Sequence, residues 1–186
     1  GEPSLLCEIF GLFEVKGGRR RPESRWIIVM RNLLQGADDW QVFDIKGVGA
    51  HRQLPPSDGK EKEQKEAKVQ WDGGFIAAFS GLPVVLTPAE CEKVQQALAT
   101  DTQVLQDLGL VDYSLLMAYT HENGGGRLRL GIIDYLQPYT LDKKLESTVK
   151  KLVQRHEPTI VEPAQYAKRL RDFVHTAFQA APMEND

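Results

Sequence analysis

Two apolar-rich runs, residues 111–119 and 127–135, flank His121-Glu122-Asn123-Gly124-Gly125-Gly126, and nothing else in this chain limits its fold as strongly. Asparagine and glycine tolerate the left-handed backbone of a tight reversal, so the two runs predict an antiparallel β-hairpin. A hairpin returns its two chain ends to one place. Here those ends are acidic: Asp112 follows Leu110-Val111, and Asp134 follows Ile132-Ile133 late in the second run. A carboxylate beside buried apolar strands is costly to desolvate unless it caps, pairs with a cation or binds a metal. Asp44, after Val42-Phe43, is a third residue of this kind. Antiparallel pairing can bring Asp112 and Asp134 together, an arrangement suited to phosphoryl transfer. One carboxylate orients or deprotonates an attacking hydroxyl while the other holds Mg²⁺ across nucleotide phosphates. Capping or turn formation is the competing role for each.

Around this hairpin, residues 5–15 and 26–30 predict another, joined by the basic turn Gly17-Gly18-Arg19-Arg20-Arg21-Pro22, and residues 41–45 predict a third strand. Thr87-Pro88 with Glu90 marks a capped helix start. Val94, Ala97 and Leu98, then Val104, Leu105 and Leu108 beyond Asp101-Thr102, predict two consecutive helices. Leu141, Leu145, Val149 and Leu152 place an amphipathic helix over 141–153. Tyr166, Leu170, Phe173, Val174 and Phe178 place another over 163–178, after an extended link at 154–162. The stretch 60–68 has four lysines, three glutamates and no large apolar side chain. Such a helix would have no face to bury, so a mobile connector is expected over 51–74.

The length of 186 residues and the 41% apolar content suit a single compact domain. No apolar run approaches the roughly 18–20 residues that cross a bilayer, and Gly1-Glu2-Pro3 opens no signal-peptide pattern. A reducing, cytosol-facing location is the expectation. A net charge of −3 argues against a general nucleic-acid binder. Cys7 and Cys91 lie far apart and outside any CxxC, as small core hydrophobes would. Gly124-Gly125-Gly126 lacks phosphate-loop spacing, and His51, His121, His156 and His175 lack the spacing of a zinc site or a triad.

Four segments in this order carry a family resemblance: Asp44-Ile45-Lys46-Gly47, Asp112-Tyr113-Ser114-Leu115-Leu116, Gly131-Ile132-Ile133-Asp134-Tyr135 and Lys143-Lys144-Leu145-Glu146. The chain resembles the phosphatidylinositol phosphate kinases. With Pro158-Thr159-Ile160-Val161 and residues 163–166 downstream, it looks most like the branch that phosphorylates phosphatidylinositol 3-phosphate at the 5-position. The likeness reaches from about Ser4 to Phe178, and departs from the family pattern at Ile45, usually Leu, and Val48, usually Ser.

The resemblance implies an α+β, kinase-like fold in one domain: the end of a small-lobe sheet and hinge at 1–34, a large lobe at 35–186 and an activation or specificity segment at 136–162. Carried over by position, Asp112 is the catalytic-loop aspartate and Asp134 the metal ligand. Lys46 approaches the phosphates. Met30, Asn32 and Leu33 belong to the hinge that holds adenine, and Asp44 joins Lys46 on the nucleotide side. Lys143 and Lys144 face the lipid headgroup, in a stretch (141–171) with eight Lys/Arg against four acids. The implied cofactors are ATP and Mg²⁺, with Mn²⁺ as an alternative, and the implied activity is transfer of a γ-phosphoryl group to an inositol hydroxyl. The expected location is cytoplasmic and peripheral to membranes, endosomal ones included.

In such a kinase a glycine-rich strand pair, a strand lysine and a helix glutamate come first, and no such segment precedes Ser4 in this sequence. Two readings stay open: a piece of a larger kinase whose turnover needs the missing lobe or a partner, and a natural short homologue that binds phosphoinositides or scaffolds without catalysis. A kinase of soluble inositol phosphates is a third.

Overall fold

A computed structural model describes residues 3–17, 23–37, 39–52, 69–122, 125–140 and 161–182. In chain order its elements are β1 (Ile9–Val15), β2 (Arg25–Met30), β3 (Gln41–Ile45), α1 (Asp72–Ala78), β4 (Val84–Leu86), α2 (Pro88–Asp107), β5 (Leu110–Val111), β6 (Ser114–Glu122), β7 (Gly125–Ile133), β8 (Gln137–Pro138), α3 (Pro163–Ala177) and β9 (Phe178–Ala180). This mixture of helices and small sheets agrees with the kinase-like α+β class.

The expected hairpin is β6–β7, antiparallel from Ser114↔Ile133 to Glu122↔Gly125. Strand β3 pairs antiparallel with the other edge of β6, giving a sheet ordered β3-β6-β7. One sheet face buries Phe43, Ile45, Leu115, Met117 and Ile132 against Leu98 and Leu105 of α2 and Tyr166, Leu170 and Val174 of α3. The other face packs Val42, Leu116 and Ala118 against Leu33, Leu34 and Trp40. Covering both faces explains why β6 reads as a nearly unbroken apolar run. Each large aliphatic side chain so buried contributes about 1.5–3 kcal/mol.

The N-terminal segment crosses the edge of β7, where Cys7 N–H donates to the Ile132 carbonyl at 2.9 Å and Ile132 N–H to the Leu5 carbonyl at 2.6 Å. A Cβ on Gly131 would sit 2.9 Å from Cys7 Sγ, so glycine is what lets the segment approach. Cys7 and Cys91 are buried and free, and burial pushes the Cys7 thiol up.

The two helices expected over 88–108 are one. Helix α2 starts at the Thr87 capping box and runs without interruption to Asp107. Asp101-Thr102 does not break it because both side chains are used: Thr102 Oγ1 donates to the Leu98 carbonyl at 2.6 Å, and the Asp101 carboxylate accepts from Leu5 N–H at 2.6 Å and Ser4 Oγ at 3.0 Å. Of the connector expected over 51–74, residues 53–68 lie outside the described residues, whereas 69–74 are built into the fold. Gln70 exchanges main-chain bonds with Val42 and Asp44, and Asp72 and Gly73 are buried at the start of α1. The helix expected over 141–153 also lies outside the described residues.

Strands β1 and β2 pair only with each other among the described residues, as the hairpin the sequence predicts. Phe10, Leu12, Phe13, Trp26 and Ile27 stand exposed on this ribbon. Two strands bury too little to be stable alone, and an apolar patch of this kind marks a surface that packs against something else. No described helix is long and apolar enough to cross a membrane.

Candidate active site

The hairpin opens at one end into a gap. Ser114 pairs with Ile133, and farther along Val111 pairs with Gln137, so residues 112–113 and 134–136 lie opposite each other between two paired stretches. Asp112 (φ 67°) and Asp134 (φ 59°) both adopt the left-handed conformation, shared by only one other described non-glycine residue, Ser80. This conformation costs about 1–2 kcal/mol for an L-residue and is tolerated best by Asp and Asn. Neighbouring tyrosines hold it in place. Tyr166 Oη, from α3, donates to the Tyr113 carbonyl at 2.5 Å, and Tyr135 Oη donates to the Cys7 carbonyl at 2.6 Å. Asp134 is exposed and lies just past β7 rather than within it.

Lys46 comes to Asp112 from the neighbouring strand. The β3–β6 register ends at Ile45↔Leu115, so the next residue of β3 reaches back along β6. Its ammonium donates to Asp112 Oδ1 at 2.5 Å and to the Asp112 carbonyl at 2.7 Å. The two side chains are 13% and 33% exposed, leaving the carboxylate open to a reactant while the lysine is nearly enclosed. Behind them Arg52 bonds Asp44 Oδ1 at 3.0 Å and the buried Asp72 Oδ2 at 2.7 Å. Asp44 therefore sits in an ion network with Arg52 and Asp72 rather than in contact with the Lys46–Asp112 pair.

Of the expected hinge residues, Met30 ends β2, Asn32 Oδ1 accepts from Leu34 N–H at 2.9 Å, and Leu33 packs on the sheet. Hinge main-chain groups are already engaged: Arg31 N–H donates to the Glu8 carbonyl at 2.8 Å, the Asn32 carbonyl accepts from Gln35 N–H at 3.5 Å, and the Leu33 carbonyl accepts from Arg129 at 3.1 Å. Lys143 and Lys144 lie outside the described residues. Among the described residues no three His, Cys, Asp or Glu gather as a protein-only metal cage. Mg²⁺ does not need such a cage, since it takes one or two carboxylates and completes its shell with phosphate oxygens and water.

Sequence reasoning missed Asp72, Arg52, Tyr166 and Arg169. Asp72 carried a readable signal, since it precedes the apolar Phe75-Ile76 and the desolvation argument that singled out the other aspartates applies to it. The other three act through main-chain carbonyls and salt bridges that no spacing announces.

The family model described as phosphatidylinositol-4-phosphate 5-kinase matches residues 2–127 and 118–177. The chain belongs to this family. Among relatives, a 1-phosphatidylinositol-3-phosphate 5-kinase of Arabidopsis thaliana is 32% identical over 190 residues, covering 97% of this chain and 10% of that protein. The Homo sapiens 1-phosphatidylinositol 3-phosphate 5-kinase is 29% identical over 97% of this chain and 9% of its own length. The Saccharomyces cerevisiae 1-phosphatidylinositol 3-phosphate 5-kinase is 29% identical over 91% and 8%. The chain thus spans about a tenth of these relatives.

Proposed function

We propose that this chain carries the phosphoryl-transfer end of an ATP-dependent phosphoinositide kinase, with a phosphatidylinositol 3-phosphate headgroup as acceptor. The observation that carries the reading is the placement of two left-handed aspartates at one end of the β6–β7 hairpin, with Lys46 against the first. Asp112 orients the inositol hydroxyl and takes its proton as the oxygen–phosphorus bond forms and ADP leaves. Lys46 supplies positive charge beside that carboxylate, where charge moves during transfer. Asp134 would hold Mg²⁺, which would supply positive charge to neutralise the nucleotide phosphates. Turnover also requires a segment that covers the exposed β1–β2 ribbon and supplies the rest of the nucleotide site. The basic stretch 141–171 suits a reaction at the cytoplasmic surface of an anionic, endosomal membrane.

The test uses the protein as its natural gene makes it, with vesicles containing phosphatidylinositol 3-phosphate and radiolabelled Mg·ATP. Label transfer to lipid that vanishes in Asp134→Asn, while Cys91→Ser retains it, supports the reading. Vesicle binding without nucleotide binding assigns the chain instead to a non-catalytic phosphoinositide-binding role. Transfer to the free headgroup but not to the bilayer assigns it to soluble inositol phosphates.

A further inference from the structure

We infer that Asp72, at the first position of α1, is the positioning residue for Lys46. Its side chain is fully buried, and it gathers donors from one short stretch of chain. Oδ2 accepts from Lys46 N–H at 3.2 Å and from Arg52 at 2.7 Å. Oδ1 accepts from Val48 N–H at 2.9 Å and Gly49 N–H at 3.4 Å. A buried carboxylate needs such a set of partners, and a stretch wrapped around it has little freedom to move. The turn also depends on Gly47: its φ is 74°, and a Cβ there would lie 2.9 Å from the Arg169 carbonyl. From the opposite side Arg169 Nε donates to the Lys46 carbonyl at 3.2 Å.

Residue 46 is therefore gripped at its N–H by α1 and at its C=O by α3, and its side chain reaches Asp112 from a fixed root. Arg52 completes the grip by tying Asp72 to the Asp44 carbonyl at 2.6 Å, so that β3, the turn after it and α1 move as one piece. A flexible lysine stem gains most from such anchoring, because fixing its root removes the freedom that its charged tip would otherwise lose on each encounter with a reactant.

The test reads Lys46 directly. The folded protein is pulsed with acetic anhydride and the modification of Lys46 is quantified by peptide mass spectrometry, with the exposed Lys93 as internal reference. An enclosed, ion-paired ammonium acylates slowly. Asp72→Asn is expected to raise the Lys46 rate about tenfold, the scale of a lost charge-assisted hydrogen bond. Phe79→Leu, which loosens α1 where it packs on Phe43 and Tyr119, controls for general destabilisation. Lys46 is expected to stay within about twofold of wild type in that variant. An unchanged Lys46 rate in Asp72→Asn, or an equal rise in both variants, overturns the inference. If Asp72→Asn lacks a cooperative melt, Arg52→Lys decides: a rise at Lys46 supports the inference and an unchanged rate overturns it.

A kinetic arm rests on the phosphoryl-transfer reading: kcat falls about tenfold in Asp72→Asn while KM for ATP stays within about twofold. A KM effect alone overturns the positioning role. A wild-type protein that transfers no phosphate refutes the reading in the preceding subsection and leaves the acylation result to decide Asp72.

Discussion

Two buried tyrosines flank Asp112, and removing their hydroxyls has opposite consequences. Tyr166 Oη donates to the Tyr113 carbonyl at 2.5 Å in a site closed to solvent. Tyr166→Phe loses that bond without changing the packed volume, at a cost of about 1–2 kcal/mol. Tyr113 is equally buried, but its hydroxyl has no hydrogen-bond partner among the described residues. Removing an unpaired buried hydroxyl relieves its desolvation, so Tyr113→Phe is neutral or stabilises by up to about 1 kcal/mol. The two variants therefore differ by about 1–3 kcal/mol, roughly 2–12 °C in midpoint for a domain of this size. Urea unfolding and thermal melts at pH 7 measure both.

Alkaline pH supplies a second reading of the same pair. Burial pushes both phenols above their ordinary value, and the Arg169 charge only partly offsets this. The folded protein keeps these protons after the unfolded chain has lost them. Their contribution to stability is complete below pH of about 10 and falls as pH rises beyond it. Tyr113→Phe should therefore show a shallower loss of stability above that pH than wild type. A Tyr113→Phe protein less stable than Tyr166→Phe would refute the reasoning.

Three further substitutions test other joints. Gly47→Ala should cost at least about 2 kcal/mol, from left-handed strain and its contact with the Arg169 carbonyl, and should raise Lys46 acylation. Asp101→Ala strands the Leu5 N–H and the Ser4 hydroxyl, costing about 2–3 kcal/mol and speeding amide exchange at Cys7. Thr87→Ala should cost about 1 kcal/mol at neutral pH. The Thr87 hydroxyl and N–H hold the Glu90 carboxyl below its usual range. That contribution is present above the ordinary carboxylate value and lost as the pH falls, so the melting gap to wild type narrows below pH of about 4.

The hairpin, the acidic residues at its end and the capped start of α2 were legible because each is a local signal: a turn composition, a charge beside an apolar run, a Thr-Pro-x-Glu spacing. Asp101-Thr102 misled because polar residues in mid-helix read as a break unless their partners are known, and the partners of Asp101, Ser4 and Leu5, lie almost a hundred residues earlier. The 69–74 segment was lost to its neighbours: the charged run before it and the glycines within it hid a carboxylate that the β3 turn wraps around. The pairing of Lys46 with Asp112 depends on the β3–β6 register, which pattern alone does not specify between strands so far apart in sequence.

The most direct test of the account is paramagnetic NMR with Mn²⁺ bound to a non-hydrolysable ATP analogue, following the amides of Tyr113 and Tyr135 next to the two aspartates. Both signals are expected to broaden together at the same metal concentration, and Asp134→Asn to abolish the effect at both. Broadening at only one of them, or broadening centred elsewhere on the protein, would contradict the account.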